Sequence, residues 1–571
     1  MKLNKLLLTA EVIALCAAPA MAQDFGDFGA FDDDSSAGAS SKIEVSGNVS
    51  MEARAYVDTE DSGKNADEKI EVTGKPSGKL ELSYSGNNSD MTLSLNMDAD
   101  MIKNNPEDII DELVLRGRLG DYVTVEAGKM KIVWGKGDKL HVLDNFNADN
   151  YSDFIIPDYL DRRISTPMIR GIISLPVANL NFEGVYTPLL PTDRFATTGR
   201  WTPAQVSALT ASVTENAKTQ LAVTITQLEN ARMQAETAAS LKALGTTDAQ
   251  NKLKAMVTAA YTAGKISYTA AEVVAYCTEN DLDPTVPAYQ QAAAGAILAQ
   301  KYEAYLTQNL TDANTAYNLA LANVNSLSSN PGVIYPNMNT LKYGQFGGRA
   351  TWTLGQVDMG ISYYNGWYKQ PSVNASKIDS FLTDYLANGK VSEDQKFLAY
   401  DKKQTFGLEA SSIIWHFNVR GEFAYNLTDD TKGTDPWVHN NSIGWLGGFD
   451  IDLPFWNANL NVQEIGTFVM KGDECDKSIA DVDYCANGYT NNKIAANFTA
   501  SFMNDKIAPE VTVMYGVENK DLVVLPKLSY KPDQNLTLTV SGLFINCGDT
   551  NSEFKPWENN SFVSLGASYK F

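Results

Sequence analysis

The chain has 571 residues and a formal net charge of −23, long enough for two or more ordinary domains or for one large barrel with an insert. The acid balance excludes nucleic acid as a partner, because phosphate binding needs clustered Lys and Arg. With three histidines and five cysteines in the whole chain, convergent zinc ligands are scarce, and no metal or other cofactor is expected.

Residues 1–22 read as a secretory signal peptide. Lys2 and Lys5 precede an apolar run, and Ala20-Met21-Ala22 is a small-x-small cleavage site. Glu11 interrupts the run, and Leu15 ahead of Cys16 is bulky where a lipoprotein signal wants a small residue, so plain cleavage is expected. No later stretch is an unbroken apolar run of about 18 residues, so no membrane helix is expected. An exported chain of this kind stays soluble or enters a membrane as a barrel. Residues 23–41 are acidic and Gly/Ser-rich and read as a solvated periplasmic linker. Their Asp spacing lacks the ligand pattern of a calcium loop.

From residue 42 the hydrophobic period becomes two. Segment 43–57 sets Val45, Val49, Met51, Ala53 and Val57 against Glu44, Ser46, Asn48, Glu52 and Arg54. Segment 417–426 sets Phe417, Val419, Phe423 and Tyr425 against Asn418, Arg420, Glu422 and Asn426, and segments 91–98 and 536–545 alternate likewise. Helices repeat every three or four positions and cannot give this pattern. Charges recur mid-strand on the polar face, which is costly in a dry core and natural in a wet lumen.

Residues 200–335 differ in kind. Val206, Leu209, Val213, Ala217, Leu221, Ile225 and Leu228 recur at helical spacing. Thr202-Pro203 is a helix start, Gly245 a stop, and Thr269-Ala270-Ala271-Glu272 a capping box. A second arm runs from Ala288 to Leu327. Each arm of roughly 40 residues would be about 60 Å long. Neither buries its stripe alone, so an antiparallel helical hairpin is predicted, its Tyr and Leu residues serving helix packing.

The last residues, SFVSLGASYKF, alternate Val563, Leu565, Ala567, Tyr569 and Phe571 against small or polar neighbours. A strand that stops on a terminal Phe resembles the last strand of bacterial outer-membrane barrels, which the barrel assembly machinery reads. The implied location is the cell outer membrane. A barrel of this type joins strands by turns on the periplasmic side and longer loops outside. Counting back from Phe571 puts connections near 58–77, 99–110, 130–165, 189–342, 368–401, 427–440, 471–491 and 546–559 outside. Turns near 85–90, 119–121, 176–179, 355–356, 415–416, 453–457, 504–506 and 531–535 fall on the periplasmic side. Only the connection near Asn519 is short on the outer side. The expectation is an all-β antiparallel transmembrane barrel of about 18 strands (16–18), with the helical hairpin in an outer loop. The barrel would occupy 42–199 and 336–571, with the 200–335 insertion extracellular. Pro509 and Pro526 make their strands the least regular.

The stretch VWGKGDKLHVLDNFNADN at 133–150 follows a strand. It is no phosphate loop, since Leu140 follows Lys139, and no GxSxG elbow occurs in the chain. The run GKMKIVWGKGDKLHVLDNFNADNY followed by PDYLDRRISTP resembles a porin-like family of bacterial outer-membrane barrels known as a domain of unknown function. The residues that carry it are Gly128, Lys129, Trp134, Gly135, Asp138, Asp144, Asn147, Arg163 and Pro167. Further likenesses are VYTPLLPTDRF at 185–195, YGQFGGRATW at 343–352, DMGISYYNGWYKQP at 358–371 and TFGLEASSIIWHFNVRGEFAYN at 405–426. They span most of the barrel and leave out 200–335. The resemblance implies an outer-membrane channel with no established reaction.

Two readings of 134–167 stand side by side. The segment folds inward as a constriction or plug, held through Trp134, Gly135, Asp138, Asp144, Asn147, Arg162 and Arg163, or it packs outside on neighbouring loops. Alternation points Arg116, Arg118, Arg170, Arg349 and Arg420, with Glu183, Glu409 and Glu422, into the lumen. They would either set a transverse field that selects solutes or pair as salt bridges. Cys475 and Cys485 are placed to staple a loop by a disulfide, although four cysteines allow three pairings.

The function expected is porin-like diffusion of small polar or anionic solutes by a protein that is not an enzyme, with outer-membrane lipid around it. Porins are often homotrimers, by analogy alone. The alternatives are an adhesin acting through the helices, an importer of apolar molecules, or a hydrolase using Asp435 and His439 near the outer mouth.

Overall fold

The structure, a computed structural model, describes residues 42–57, 71–329, 331–476, 481–550, 552 and 554–571. The expected signal peptide and acidic linker lie outside the described residues. Eighteen strands form one sheet. They are β1 Lys42–Tyr56, β2 Val72–Ser85, β3 Ser89–Asp98, β4 Ile110–Leu119, β5 Val123–Met130, β6 Thr166–Leu175, β7 Leu180–Thr187, β8 Gln345–Leu354, β9 Val357–Trp367, β10 Lys402–Ile414, β11 Phe417–Leu427, β12 Ser442–Leu453, β13 Ala458–Val469, β14 Thr490–Thr499, β15 Ile507–Gly516, β16 Asp521–Tyr530, β17 Leu536–Cys547 and β18 Phe562–Lys570. Each pairs antiparallel with the next. β18 then pairs with β1, from Asn48 opposite Lys570 to Tyr56 opposite Phe562. The sheet is therefore a closed barrel without free edges, which removes the aggregation hazard of unpaired strands.

The alternation fixes which way each strand faces. On β11, Phe423 is 41% exposed while its neighbour Glu422 is 4% exposed. On β10 and β18, Leu408 and Leu565 are 55% and 63% exposed. Apolar residues point out and polar residues point in, the reverse of a protein folded in water. An apolar surface of this extent is stable only against hydrocarbon or a partner.

Connections alternate in length as the parity count expects. One end carries 86–88, 120–122, 176–179, 355–356, 415–416, 454–457, 500–506 and 531–535. The other carries the long segments, and only 517–520 is short there. The prolines are accommodated locally. Pro509 sits opposite Leu528, and Pro526 opposite Val511, in an intact β15–β16 ladder. The β16–β17 ladder skips Leu525 and Pro526, since proline brings no N–H to it. A bulge at Ser94/Leu95 lets β3 follow β4 past Asp111.

Residues Ala208–Pro336 and Asn374–Leu398 form a second compact unit. The predicted two-arm hairpin is richer than expected. It contains α1 Ala204–Leu244, α2 Thr247–Thr262, α3 Ala270–Glu279 and α4 Pro287–Ser329, joined by α5 Ile378–Asn388 from the next long connection. The Thr269–Glu272 capping box is formed. Ala238 of α1, Val257 of α2 and Tyr302 and Leu306 of α4 share one core. Val273 and Cys277 of α3 meet Ala293 and Ile297 of α4 in another. Asn323 of α4 donates to the carbonyls of Tyr385 and Leu386, both at 3.1 Å, at the end of α5. Among the described residues no helix is long and apolar enough to cross a membrane.

Leu408→Arg, on the outer face in the middle of β10, is expected to lower folding stability in lipid vesicles by about 2–4 kcal/mol, as for arginine near a bilayer midplane. Urea titration of tryptophan fluorescence measures it. A change smaller than about 0.5 kcal/mol would mean that this face does not meet hydrocarbon.

Candidate functional site

The inward side chains of β3–β10 form a belt of alternating charge. Arg118 of β4 pairs with Asp90 of β3. Arg116 reaches Glu126 of β5 at 2.7 Å. Arg170 of β6 joins Glu126 at 3.1 Å to Glu183 of β7 at 2.7 Å. Arg349 of β8 lies 4.0 Å from Glu183 and pairs with Glu409 of β10. That last pair spans β9, where Gly360 faces Glu409 in register. A Cβ at Gly360 would lie 2.6 Å from Glu409 Oε1, so glycine leaves the room the carboxylate fills. The belt sets Arg116, Arg118, Arg170 and Arg349 against Asp90, Glu126, Glu183 and Glu409, four charges of each sign. Arg420 of β11 pairs instead with Asp138 and with Asp450 of β12. Arg349 and Glu409 are both well buried, and removing one partner of such a pair leaves an uncompensated charge, typically about 3–5 kcal/mol.

Residues 131–165 run inside this wall. Glu422 anchors them. Its Oε1 accepts the backbone N–H of Lys136 and of Gly137, each at 2.7 Å. Its Oε2 accepts from Val142 at 2.8 Å and Leu143 at 3.3 Å. His141 Nδ1 lies 3.2 Å from Oε1. Gly135 has φ +112°, and a Cβ there would sit 2.2 Å from Glu422 Oε1, so position 135 requires glycine on both counts. Trp134 Nε1 donates to Glu183 Oε1 at 2.9 Å. Its ring meets Phe146 edge-on at 5.0 Å, and Phe146 meets Tyr364 of β9 at 5.2 Å. Asp138 also accepts from Asn461 of β13, and Lys139 reaches Glu510 of β15 at 3.1 Å.

The far half of the segment reaches the other side. Asp153 pairs with Arg54 of β1 and Lys75 of β2, both at 2.6 Å. Phe154 stacks on Trp201 at 5.3 Å and packs with Leu543 of β17 and Phe562 of β18. β1 and β11 lie on nearly opposite walls of an 18-strand ring, so the segment crosses the bore. Its neck is closed by Asn147. Oδ1 accepts from Ile132 N–H at 2.9 Å, and Nδ2 donates to the carbonyls of Met130 and Ile164, each at 3.0 Å. Arg163 pairs with Asp144 at 2.7 Å and Asp149 at 3.5 Å. Arg162 approaches Asp149 at 3.8 Å and lies over the Tyr151 ring.

Sequence reasoning and structure part at three points. The expected Cys475–Cys485 disulfide is absent, and both are free thiols. Cys475 is half-buried and accepts from Asn440 Nδ2 at 3.6 Å, whereas Cys485 is exposed. His439 turns from Asp435 to Asp401, with Nδ1 and Oδ2 2.5 Å apart. Asp435 Oδ1 caps the N–H of Trp437. Arg54, Asp90, Glu126 and Asp153 were not singled out. Period-two alternation carried the signal for the first three, while Asp153 lies in irregular chain that has no period to read.

No family model and no curated protein matches the chain. Among solved structures, OccAB4 of Acinetobacter baumannii is 9% identical and aligns with a TM-score of 0.39 over 93% of this chain and 98% of that one. OccK11 (OpdR) of Pseudomonas aeruginosa is 6% identical, with a TM-score of 0.40 over 93% and 96%. A BenF-like porin of Pseudomonas fluorescens Pf-5 is 9% identical, with a TM-score of 0.39 over 93% and 98%.

Glu422→Ala strands the N–H groups of residues 136, 137, 142 and 143. Hydrogen bonds to a charged group are worth about 1.5–3 kcal/mol, so exchange of these amides is expected to speed up by about ten- to a hundredfold. Hydrogen exchange read by mass spectrometry checks it, with the β17 amides, far from residue 422 around the ring, as the unchanged reference. Unaltered exchange at 136–143 would show that the segment is held by other contacts.

Proposed function

We propose that the chain is a porin-like channel of the bacterial outer membrane, passing small polar or anionic solutes by diffusion. The observation that carries this reading is the segment 131–165, which crosses a barrel that is apolar outside and charged inside. An 18-strand ring is wide enough for an aqueous bore, and the segment narrows that bore instead of leaving it open. Trp134, Gly135, Asp138, Asp144, Asn147, Arg162 and Arg163 build the constriction. Arg116, Arg118, Arg170, Glu183, Arg349, Glu409, Arg420 and Glu422 line the wall around it.

The inner charges support a route for polar solutes over one for apolar molecules. Because belt arginines and carboxylates neutralise one another, the belt by itself gives little preference for either sign of ion. Outer-membrane lipid would surround the apolar face, and the strand ending at Phe571 would serve the barrel assembly machinery.

Planar-bilayer recording of the refolded protein tests the reading. Steady single-channel steps are expected. The double variant Asp138→Ala/Glu422→Ala, which frees the tip of the segment, is expected to raise the step size about twofold or more, as widening a constriction does. Absence of steps from a correctly folded barrel, or an unchanged step in the double variant, would overturn it.

A further inference from the structure

Arg54, Arg116, Arg118, Arg163, Arg170, Arg349 and Arg420 each have a carboxylate within 4.0 Å. Two inward lysines depart from that pattern. Lys369 lies just past the end of β9, and Lys403 is the second residue of β10, opposite Gly366 in register. Neither has an ion pair among the described residues. Lys369 Nζ donates to Gln345 Oε1 at 2.5 Å, and Lys403 Nζ donates to Asn145 Oδ1 at 2.6 Å. Both acceptors are neutral amides.

The two ammonium groups neighbour the same buried ring. They lie 5.8 and 5.9 Å from the centroid of the Tyr364 ring, and Lys403 lies 5.0 Å from that of Tyr368. Both side chains are half-buried. The carboxylates nearby are engaged elsewhere. Asp193 accepts from the N–H of Asp149 at 2.9 Å and from Gln370 Nε2 at 3.1 Å. Asp401 accepts from Ser372 at 3.1 Å and faces His439. Two like charges held together away from bulk water are disfavoured without a counter-charge. Each ammonium has three donors. Lys403 uses one on Asn145. Lys369 uses one on Gln345 and has a long contact of 3.4 Å to Tyr364 Oη. Among the described residues, the remaining donors of both have no hydrogen-bond partner.

Asn145 belongs to the segment that crosses the bore, so this pair of lysines sits where constriction and wall meet. We infer that Lys369 and Lys403 form a subsite for the anionic oxygen group of a passing solute, a carboxylate or a phosphate. The ammonium groups supply charge and hydrogen bonds, while the buried Tyr364 ring and the Tyr368 ring stacked on His439 back the two lysines. The inference names the solute class for the channel proposed above and rests on that reading for the solute's arrival.

The test pairs two measurements on the full-length refolded barrel, with benzoate and inorganic phosphate as probes. Calorimetry in detergent reads binding without conduction, and planar-bilayer recording reads block of current. In the wild type, at least one probe is expected to bind with a millimolar dissociation constant, about −4 kcal/mol, and to interrupt the current. Lys369→Gln/Lys403→Gln is expected to weaken binding about tenfold or more, as loss of charge-assisted hydrogen bonds predicts. Lys369→Arg/Lys403→Arg keeps the charge and is expected to retain binding. Lys402→Gln, on the exposed side of β10, is the unaffected control. Far-UV circular dichroism confirms that each variant is folded. Binding without conduction in the wild type overturns the channel and keeps the subsite. Conduction with binding that is absent, or equal in wild type and Gln variant, overturns the subsite and keeps the channel. Loss of binding in the Arg variant as well assigns the effect to side-chain shape and also overturns the subsite.

Discussion

Glu409 and Glu422 stand directly opposite each other on neighbouring strands, and both are buried. Cross-strand partners have their Cβ atoms about 4.5–5.5 Å apart, so two carboxylates in this register would repel one another and lose their hydration together. The interior resolves the conflict by giving each a different counterpart. Glu409 takes Arg349 from across Gly360. Glu422 takes no strand cation and instead collects four backbone N–H groups from residues 136–143. The inward path of the segment is thus the other half of the wall's electrostatics.

The same constraint organises the rest of the bore. A strand offers only every second residue to the lumen, so matching charges come from adjacent strands or from the crossing segment. β3–β8 and β10 match among themselves. Arg54 and Arg420 are completed by the segment through Asp153 and Asp138. Apolar contacts then seat its two halves, Trp134 and Phe146 on the β7–β9 side and Phe154 near β17 and β18. At Lys369 and Lys403 the cation meets a neutral amide and, among the described residues, no carboxylate.

Much of this was legible because lipid and water impose opposite demands on alternate residues. Phe423 beside Glu422, or Leu115 beside Arg116, declares both faces of a strand without any knowledge of neighbours. Connection lengths then give the topology. The pairing of charges was not legible, since Arg349 finds Glu409 sixty positions away and only through the register of β8–β10. The path of 131–165 was open for the same reason: irregular chain has no period, and its direction is decided by Glu422 from a distant strand. α5 was missed although Ile378, Phe381, Leu382, Tyr385 and Leu386 keep helical spacing. A segment of 11 residues inside a long connection gives little contrast with its surroundings. The thiols of Cys475 and Cys485 are near in sequence, but proximity along a loop does not set the geometry a disulfide needs.

The clamp at Asn147 has a mechanical meaning. Its amide joins chain entering the bore at Met130 and Ile132 to chain leaving it at Ile164. The segment is therefore a noose with a fixed knot at the wall, and thermal motion cannot lengthen it by feeding in residues from β5 or β6. Its free tip is held by discrete contacts, above all those at Glu422. A noose of constant length either keeps its tip attached or swings free, with few stable positions between. Noise in a current limited by such a device would take the form of jumps between set levels, not a continuous drift.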